Sequence, residues 1–122
     1  MHEGVYNYLR GVDMDSILTS IKKMLGPSAE NTDFDTDIII DINSAFMVLR
    51  QLGIGPADGF SITDSSSEWT DFIEDMSKIE AVKSYVYLKT KLLFDPPSSS
   101  TVLQSINENI KELESRLNYE AD

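Results

Sequence analysis

The stretch DTDIIIDINSAFMVLRQL (residues 35–52) decides the fold class, because it has the pattern of one long amphipathic helix. Its apolar side chains recur at spacings of three and four and form one wide stripe: Ile38, Ile39, Ile42, Ala45, Phe46, Leu49 and Leu52. Asp35, Asp37 and Asp41 lie towards the amino end and Arg50 towards the carboxyl end, so each charge complements the helix dipole. Gly53 follows as the expected carboxyl-terminal cap.

Helices are also predicted on both sides of this stretch. Residues 13–25 form an apolar helix that Asp13 or Asp15 caps and that Gly26-Pro27 ends. Downstream, Ser65 with Glu68 reads as a capping box that starts a helix carrying Trp69, Phe72, Ile73 and Met76.

The carboxyl-terminal half is predicted to be helical as well. Ser77 with Glu80 is a second capping box, and its helix runs to about Phe94, before Asp95-Pro96-Pro97. Whether it continues the preceding helix or bends at Ser77 stays open. A last helix runs from the serines at 98–100 to about Asn118.

These segments predict an all-α fold, a small bundle of four to five helices. Residues 53–64 form the one long loop, in which Phe60 and Ile62 alternate with Ser61 and predict a very short strand or hairpin. We expect residues 14–122 to form a single helical domain. Residues 1–13 are then an N-terminal extension, either a docking arm or a stretch upstream of a second plausible start at Met14.

Composition excludes several classes of function. The chain has 122 residues, ten Lys and Arg against twenty-one Asp and Glu, and a formal net charge of −11. That balance disfavours proteins that clamp nucleic acid or bind anionic membranes, because both need clustered cations. There is no cysteine, and His2 is the only histidine, so thiolate chemistry, disulfides and His-dependent triads are excluded. Without a membrane-spanning run or a signal-peptide pattern, we expect a soluble protein made for the cytoplasm.

No motif predicts catalytic, cofactor-binding or metal-binding residues. Asp33, Asp35 and Asp37 alternate like the first ligands of a calcium loop, but Ile38 and Ser44 stand where glycine and glutamate are required. Gly53-Ile54-Gly55 lacks the rest of a nucleotide-binding loop. The chain is therefore expected not to be an enzyme and to need no cofactor.

Three groups of residues remain as candidate interaction surfaces. A narrow seam on the last helix predicts packing within or between subunits: Leu103, Ile106, Ile110, Leu113 and Leu117. A basic group is either a solvated face or one side of a self-complementary interface: Lys78, Lys83, Lys89 and Lys91. An acidic group would supply the other side of that interface: Asp33, Asp35, Asp37 and Asp41.

Four segments resemble one family over about residues 14–122: FDTDIIIDINSAF (34–46), LGIGPADGFSI (52–62), YVYLKTKLLFDPPSSS (85–100) and ELESRLNYEAD (112–122). They are similar to the head-tail connector proteins of tailed bacteriophages that infect Gram-positive bacteria, the adaptors beneath the portal. The glycine-proline loop and the Leu-Phe-Asp-Pro-Pro-Ser block are the most distinctive stretches.

The resemblance implies a structural virion protein at the head–tail junction, with no cofactor and no reaction. In the family, copies assemble into a ring, usually twelve-fold, between the portal and the stopper or head-completion protein. The ring extends the channel through which DNA passes without specific binding. A net negative wall suits that passage, so the resemblance also makes the acidic group a candidate channel face. The implied ring needs two different patches on each subunit. The resemblance further implies that the protein is made in the host bacterial cytoplasm.

Two other functions stay in competition at this point. The net charge of −11 also fits an acidic regulatory module, an inhibitor or DNA mimic that occupies a basic host protein. A small enzyme that uses buried carboxylates and a metal ion is the third hypothesis, and it predicts stabilisation by a specific divalent ion.

Overall fold

A computed structural model describes residues 16–121 of the chain, and it contains five α-helices and no strand within that range. The helices are α1 (Ile17–Leu25), α2 (Asp35–Gln51), α3 (Trp69–Phe72), α4 (Ile79–Phe94) and α5 (Ser100–Ala121). Two short 3-10 turns, Pro27–Ala29 and Thr32–Phe34, join α1 to α2. The predicted all-α fold is confirmed.

Helix α4 is the central element, because it packs against α1, α2 and α5. Its buried side chains include Val82, Tyr85 and Val86, all fully shielded from solvent. The same core takes the apolar stripe of α2, as the sequence predicts: Ile38, Ile42, Ala45, Phe46 and Leu49 are buried. The long loop contributes Ile54 and Ile62 to this core, so the loop is part of the packed fold.

Helix α1 is capped by Ser16. The Ser16 hydroxyl accepts a hydrogen bond from the Thr19 N–H at 3.2 Å and donates one to the Ser65 carbonyl at 2.8 Å. One side chain therefore caps the helix and attaches it to the segment before α3. The predicted caps, Asp13 and Asp15, and the N-terminal extension at 1–13 lie outside the described residues.

Helix α3 is shorter than predicted and begins at a different cap. The Glu68 N–H donates to Asp71 Oδ2 at 2.8 Å, so the capping pair is Glu68 with Asp71 rather than Ser65 with Glu68. The helix ends after one turn because Ile73 adopts an extended conformation, and Met76 is half exposed. The prediction of a helix that continues through Met76 was wrong.

The second predicted capping box is also wrong, and the chain bends between α3 and α4. The Ser77 hydroxyl donates to Asp75 Oδ1 at 2.7 Å instead of capping a helix, and α4 begins at Ile79 after Lys78. A short polar side chain that bonds its own turn competes with helix capping. The end of α4 at Phe94 agrees with the sequence.

Residues 60–62 do not form the predicted strand, and the side chain of Asn43 provides the hydrogen bonds that a neighbouring strand would have made. The Ile62 N–H donates to Asn43 Oδ1 at 2.8 Å, and Asn43 Nδ2 donates to the Ile62 carbonyl at 3.0 Å. Buried backbone groups need partners, and here one amide side chain on α2 satisfies both groups of Ile62. The loop is therefore held in an irregular conformation against α2.

Aromatic rings join α2, the long loop and α3. The ring centroid of Phe46 lies 5.0 Å from that of Phe60, 4.7 Å from that of Phe72 and 6.3 Å from that of Trp69. The Trp69 indole N–H donates to the Ser20 hydroxyl at 2.9 Å, so the tryptophan has its polar partner inside the core. This cluster fixes the loop and α3 on the outside of α2.

Candidate functional site

Within residues 16–121, no three or more acidic or histidine side chains are grouped so that they could hold a metal ion. No described helix combines the length and the apolar character that crossing a membrane requires. The candidate sites are the three predicted surface groups, namely the seam of α5, the basic group and the acidic group.

The predicted seam of α5 packs against the rest of this chain. Leu117 is completely buried and Ile110 nearly so, while Ile106 and Leu113 are partly buried against the core. Leu103, at the amino-terminal end of the seam, is partly exposed. Helix α5 rests on α4 along this seam, so most of its apolar surface is used within the subunit.

A hydrogen bond between Tyr85 and Glu114 attaches α5 to α4. The Tyr85 hydroxyl donates to Glu114 Oε2 at 2.7 Å, and the Tyr85 ring is fully buried. Burial, and then the hydrogen bond to the Glu114 carboxylate, raise the pKa of Tyr85 above its ordinary value of 10.0. The folded chain therefore keeps this phenol protonated.

This raised pKa predicts a loss of stability in alkaline solution. Above pH 10 the unfolded chain releases the Tyr85 proton while the folded chain retains it, so the unfolded state binds fewer protons. The free energy of unfolding should then fall with rising pH, by up to about 1.4 kcal/mol per pH unit from this group. Chemical denaturation from pH 8 to 11.5 measures this slope, which should be shallower above pH 10 in Tyr85→Phe. Equal slopes in the two proteins would contradict the assignment.

The four predicted lysines do not share one face of α4. Lys83 Nζ lies 5.9 Å from the centroid of the Trp69 ring, and Lys91 Nζ lies 3.1 Å from Asp95 Oδ2. At about 100° per residue, Lys89 is roughly 120° around the helix from Lys83. Lys78 precedes the first turn, and all four side chains are partly buried. Lys83 and Lys91 therefore make contacts inside the subunit.

The four predicted aspartates lie around the amino end of α2. Asp33 is in the 3-10 turn before α2, and Asp35 Oδ1 lies 2.5 Å from Lys22 Nζ. Asp37 is exposed on the first turn of α2, and Asp41 follows one turn later, partly buried. Burial, and then the nearby Asp37 carboxylate, raise the pKa of Asp41.

Exposed apolar side chains lie directly beside this acidic turn. Phe34 is 41% exposed, Ile40 57% and Leu93 53%, and the Phe34 and Phe94 rings meet edge to face at 5.8 Å. One surface depression of about 350 Å³ is lined by all of them together with two carboxylates: Phe34, Asp37, Ile40, Asp41, Leu93 and Phe94. We call these six residues the α2–α4 patch.

Sequence reasoning missed this patch as a unit. It found the acidic residues of α2 but not the apolar side chains between them. The available signal was Ile40, a large apolar residue outside the stripe that α2 presents to the core. Phe34 and Leu93 come from a turn and from the end of another helix, so their proximity to Ile40 depends on tertiary packing.

Comparison with known proteins identifies a family. The family model described as "Phage connector protein" matches residues 17–122, which is nearly all of the chain and all five helices. No curated protein and no solved structure matches the chain.

Proposed function

The chain belongs to the phage connector protein family, and on that premise we propose that it is the adaptor subunit of a head-tail connector. Copies form a ring, usually twelve-fold in this family, below the portal of a phage that infects a Gram-positive host. The ring extends the DNA channel and joins the head to the stopper or head-completion protein. The observation that carries the proposal is the family match over residues 17–122.

The charge of the chain supports a role as a channel wall. A formal net charge of −11 leaves few clustered cations to hold phosphates, so DNA would pass without strong contacts. Cations inside the subunit are also occupied, as with Lys83 over Trp69 and Lys91 beside Asp95. We propose no enzymatic reaction and no cofactor for this protein.

The packing of the subunit supports assembly as a preformed unit. Helix α5 is seated on α4 through Ile110 and Leu117, and the long loop is attached to α2 through Asn43. A ring of identical subunits requires heterologous contacts, in which one patch meets a different patch on the next copy. A rigid helical subunit keeps two such patches at a constant separation.

A stop codon in the coding gene tests this function. Electron microscopy of lysates should then show DNA-leaking or tailless heads beside free, complete tails. Supplying the intact gene from a plasmid should restore joined particles, which controls for effects on neighbouring genes.

Ordinary filled, tailed particles from the stop-codon phage would overturn the connector proposal. That result would favour the acidic regulatory module, for which the net charge of −11 is the specific observation. The two functions also differ in their partners: the connector should be recovered from virions, whereas the module should be recovered with one host protein.

A further inference from the structure

We propose that the α2–α4 patch binds a segment of a different virion protein, one that presents an apolar side chain next to a lysine or arginine. The inference rests on the proposed function, because it names the chemistry of one partner of the connector. It follows from the apolar side chains of the patch, from two carboxylates that have no salt bridge within residues 16–121, and from the contacts that the chain's own cations already make.

Three large apolar side chains are exposed next to one another in the patch. Phe34, Ile40 and Leu93 come from three different elements, and each exposes between two fifths and three fifths of its surface around one depression. Contiguous exposed apolar side chains rimmed by polar ones mark protein interaction sites. The depression has room for one apolar side chain of a partner.

The rim of the patch attracts a cation. Asp37 and Asp41 are one helical turn apart, a spacing at which like charges repel. No lysine or arginine within residues 16–121 forms a salt bridge with either of them, whereas the neighbouring Asp35 is paired with Lys22. Burial and then the Asp37 carboxylate raise the pKa of Asp41, and a lysine or arginine from a partner would offset the second of these effects.

The cation is expected from a different protein rather than from a second copy. Most basic side chains of the described chain already have partners: Lys22 with Asp35, Lys83 with Trp69, Lys91 with Asp95, Arg116 with Glu112 and Arg50 with the Ala57 carbonyl. A partner with spare cations next to an apolar side chain fits the patch better.

Binding of purified phage proteins tests the inference. The probes are the portal protein and the head-completion protein of the same phage, each titrated by calorimetry against the full-length chain. One of them should bind, and Ile40→Ser or Leu93→Ser should weaken that binding about tenfold or more, as expected for central apolar contacts. Met47→Ser is the matched control, since Met47 lies on the same helix and is 63% exposed outside the patch.

The charged rim has a separate expected result. Asp37→Asn with Asp41→Asn should reduce the dependence of binding on salt concentration and lower the association rate a few-fold. Because Ile40, Leu93 and Asp37 are exposed, circular dichroism should show that these variants keep their helices.

The possible outcomes distinguish a failure of this inference from a failure of the proposed function. Wild-type chain that binds neither probe would overturn the proposed function and this inference with it. Wild-type binding that Ile40→Ser and Leu93→Ser leave unchanged would overturn the inference alone. Patch variants that keep the probe but lose self-association would show a second copy on the patch, which also overturns the inference.

Discussion

Phe46→Ala is expected to lower the free energy of unfolding by about 3–5 kcal/mol, the usual cost of removing a buried aromatic ring. Phe46 is 1% exposed and its ring contacts those of Phe60, Phe72 and Trp69. Its removal therefore leaves a cavity where α2, the long loop and α3 meet. The loss is a large part of the roughly 5–15 kcal/mol by which domains are stable.

Urea denaturation, followed by circular dichroism and by tryptophan fluorescence, measures this effect. Met47→Ala on the same helix is the matched control, because Met47 is 63% exposed and should cost less than about 0.5 kcal/mol. If Phe46→Ala does not fold, Phe46→Leu keeps most of the volume and should give a smaller, measurable loss. A Phe46→Ala protein as stable as Met47→Ala would show that the aromatic cluster does not hold the loop.

Gly55→Ala is expected to destabilise the protein by about 2–5 kcal/mol, for two separate reasons. Gly55 has a φ of +88°, which a residue with a Cβ adopts only at a cost. A Cβ built at this position would also lie 2.3 Å from Cε1 of Phe72, far inside van der Waals contact. The ring of Phe72 is buried against Phe46, so it has little room to move away.

Gly26→Ala separates these two contributions. Gly26 has the same φ of +88°, but no atom lies within 4 Å of its added Cβ. Its substitution should therefore cost only the backbone term, about 1–3 kcal/mol. Thermal or urea denaturation of both variants compares them directly, and Gly55→Ala should be the less stable. Equal losses of stability in the two variants would mean that the Phe72 ring moves aside without an energetic cost.

A combined variant tests the contact itself. Phe72→Leu removes part of the ring that the new methyl group meets, so Gly55→Ala should cost less in that background than in the wild-type chain. Additive losses would contradict the contact, because residues that touch are expected to couple.

These predictions concern the scaffold on which the α2–α4 patch depends. Ile40 is exposed on α2, whereas Phe46, about 120° around the same helix, anchors it in the core. A destabilised loop or α3 should therefore lower the amount of functional connector before it changes any contact with a partner. Partner binding by the exposed-surface variants is best compared at equal folded fractions.

Local chemistry made part of this structure predictable from the residues. The stripe from Ile38 to Leu52, its charges at each end and Gly53 together specify α2, because periodicity, dipole and cap agree. The proline pair after Asp95 ends α4 for a local steric reason. The spacing of its apolar residues predicts the seam of α5, because an amphipathic helix buries its apolar face against whichever element it packs on.

Short polar side chains were where sequence reasoning failed. The serines at 65 and 77 match a capping pattern, but Glu68 pairs with Asp71 instead of Ser65, and the Ser77 hydroxyl donates to Asp75. Such groups have several partners of similar energy within reach, and tertiary contacts select among them. Asn43 is the same case, because its partner Ile62 is nineteen residues away in the chain.

The sequence by itself determined the helical class, the bounds of α2, the end of α4 and the absence of cysteine and clustered cations, because each depends on neighbouring residues or on composition. Only the tertiary structure decided how far α3 extends, what replaces a strand at Ile62 and which carboxylates stay without a salt bridge in residues 16–121. It also brought Phe34, Ile40 and Leu93 around one depression. The physical reason is that these features depend on groups far apart in the chain, whose contacts exist only after α2 and α4 have packed.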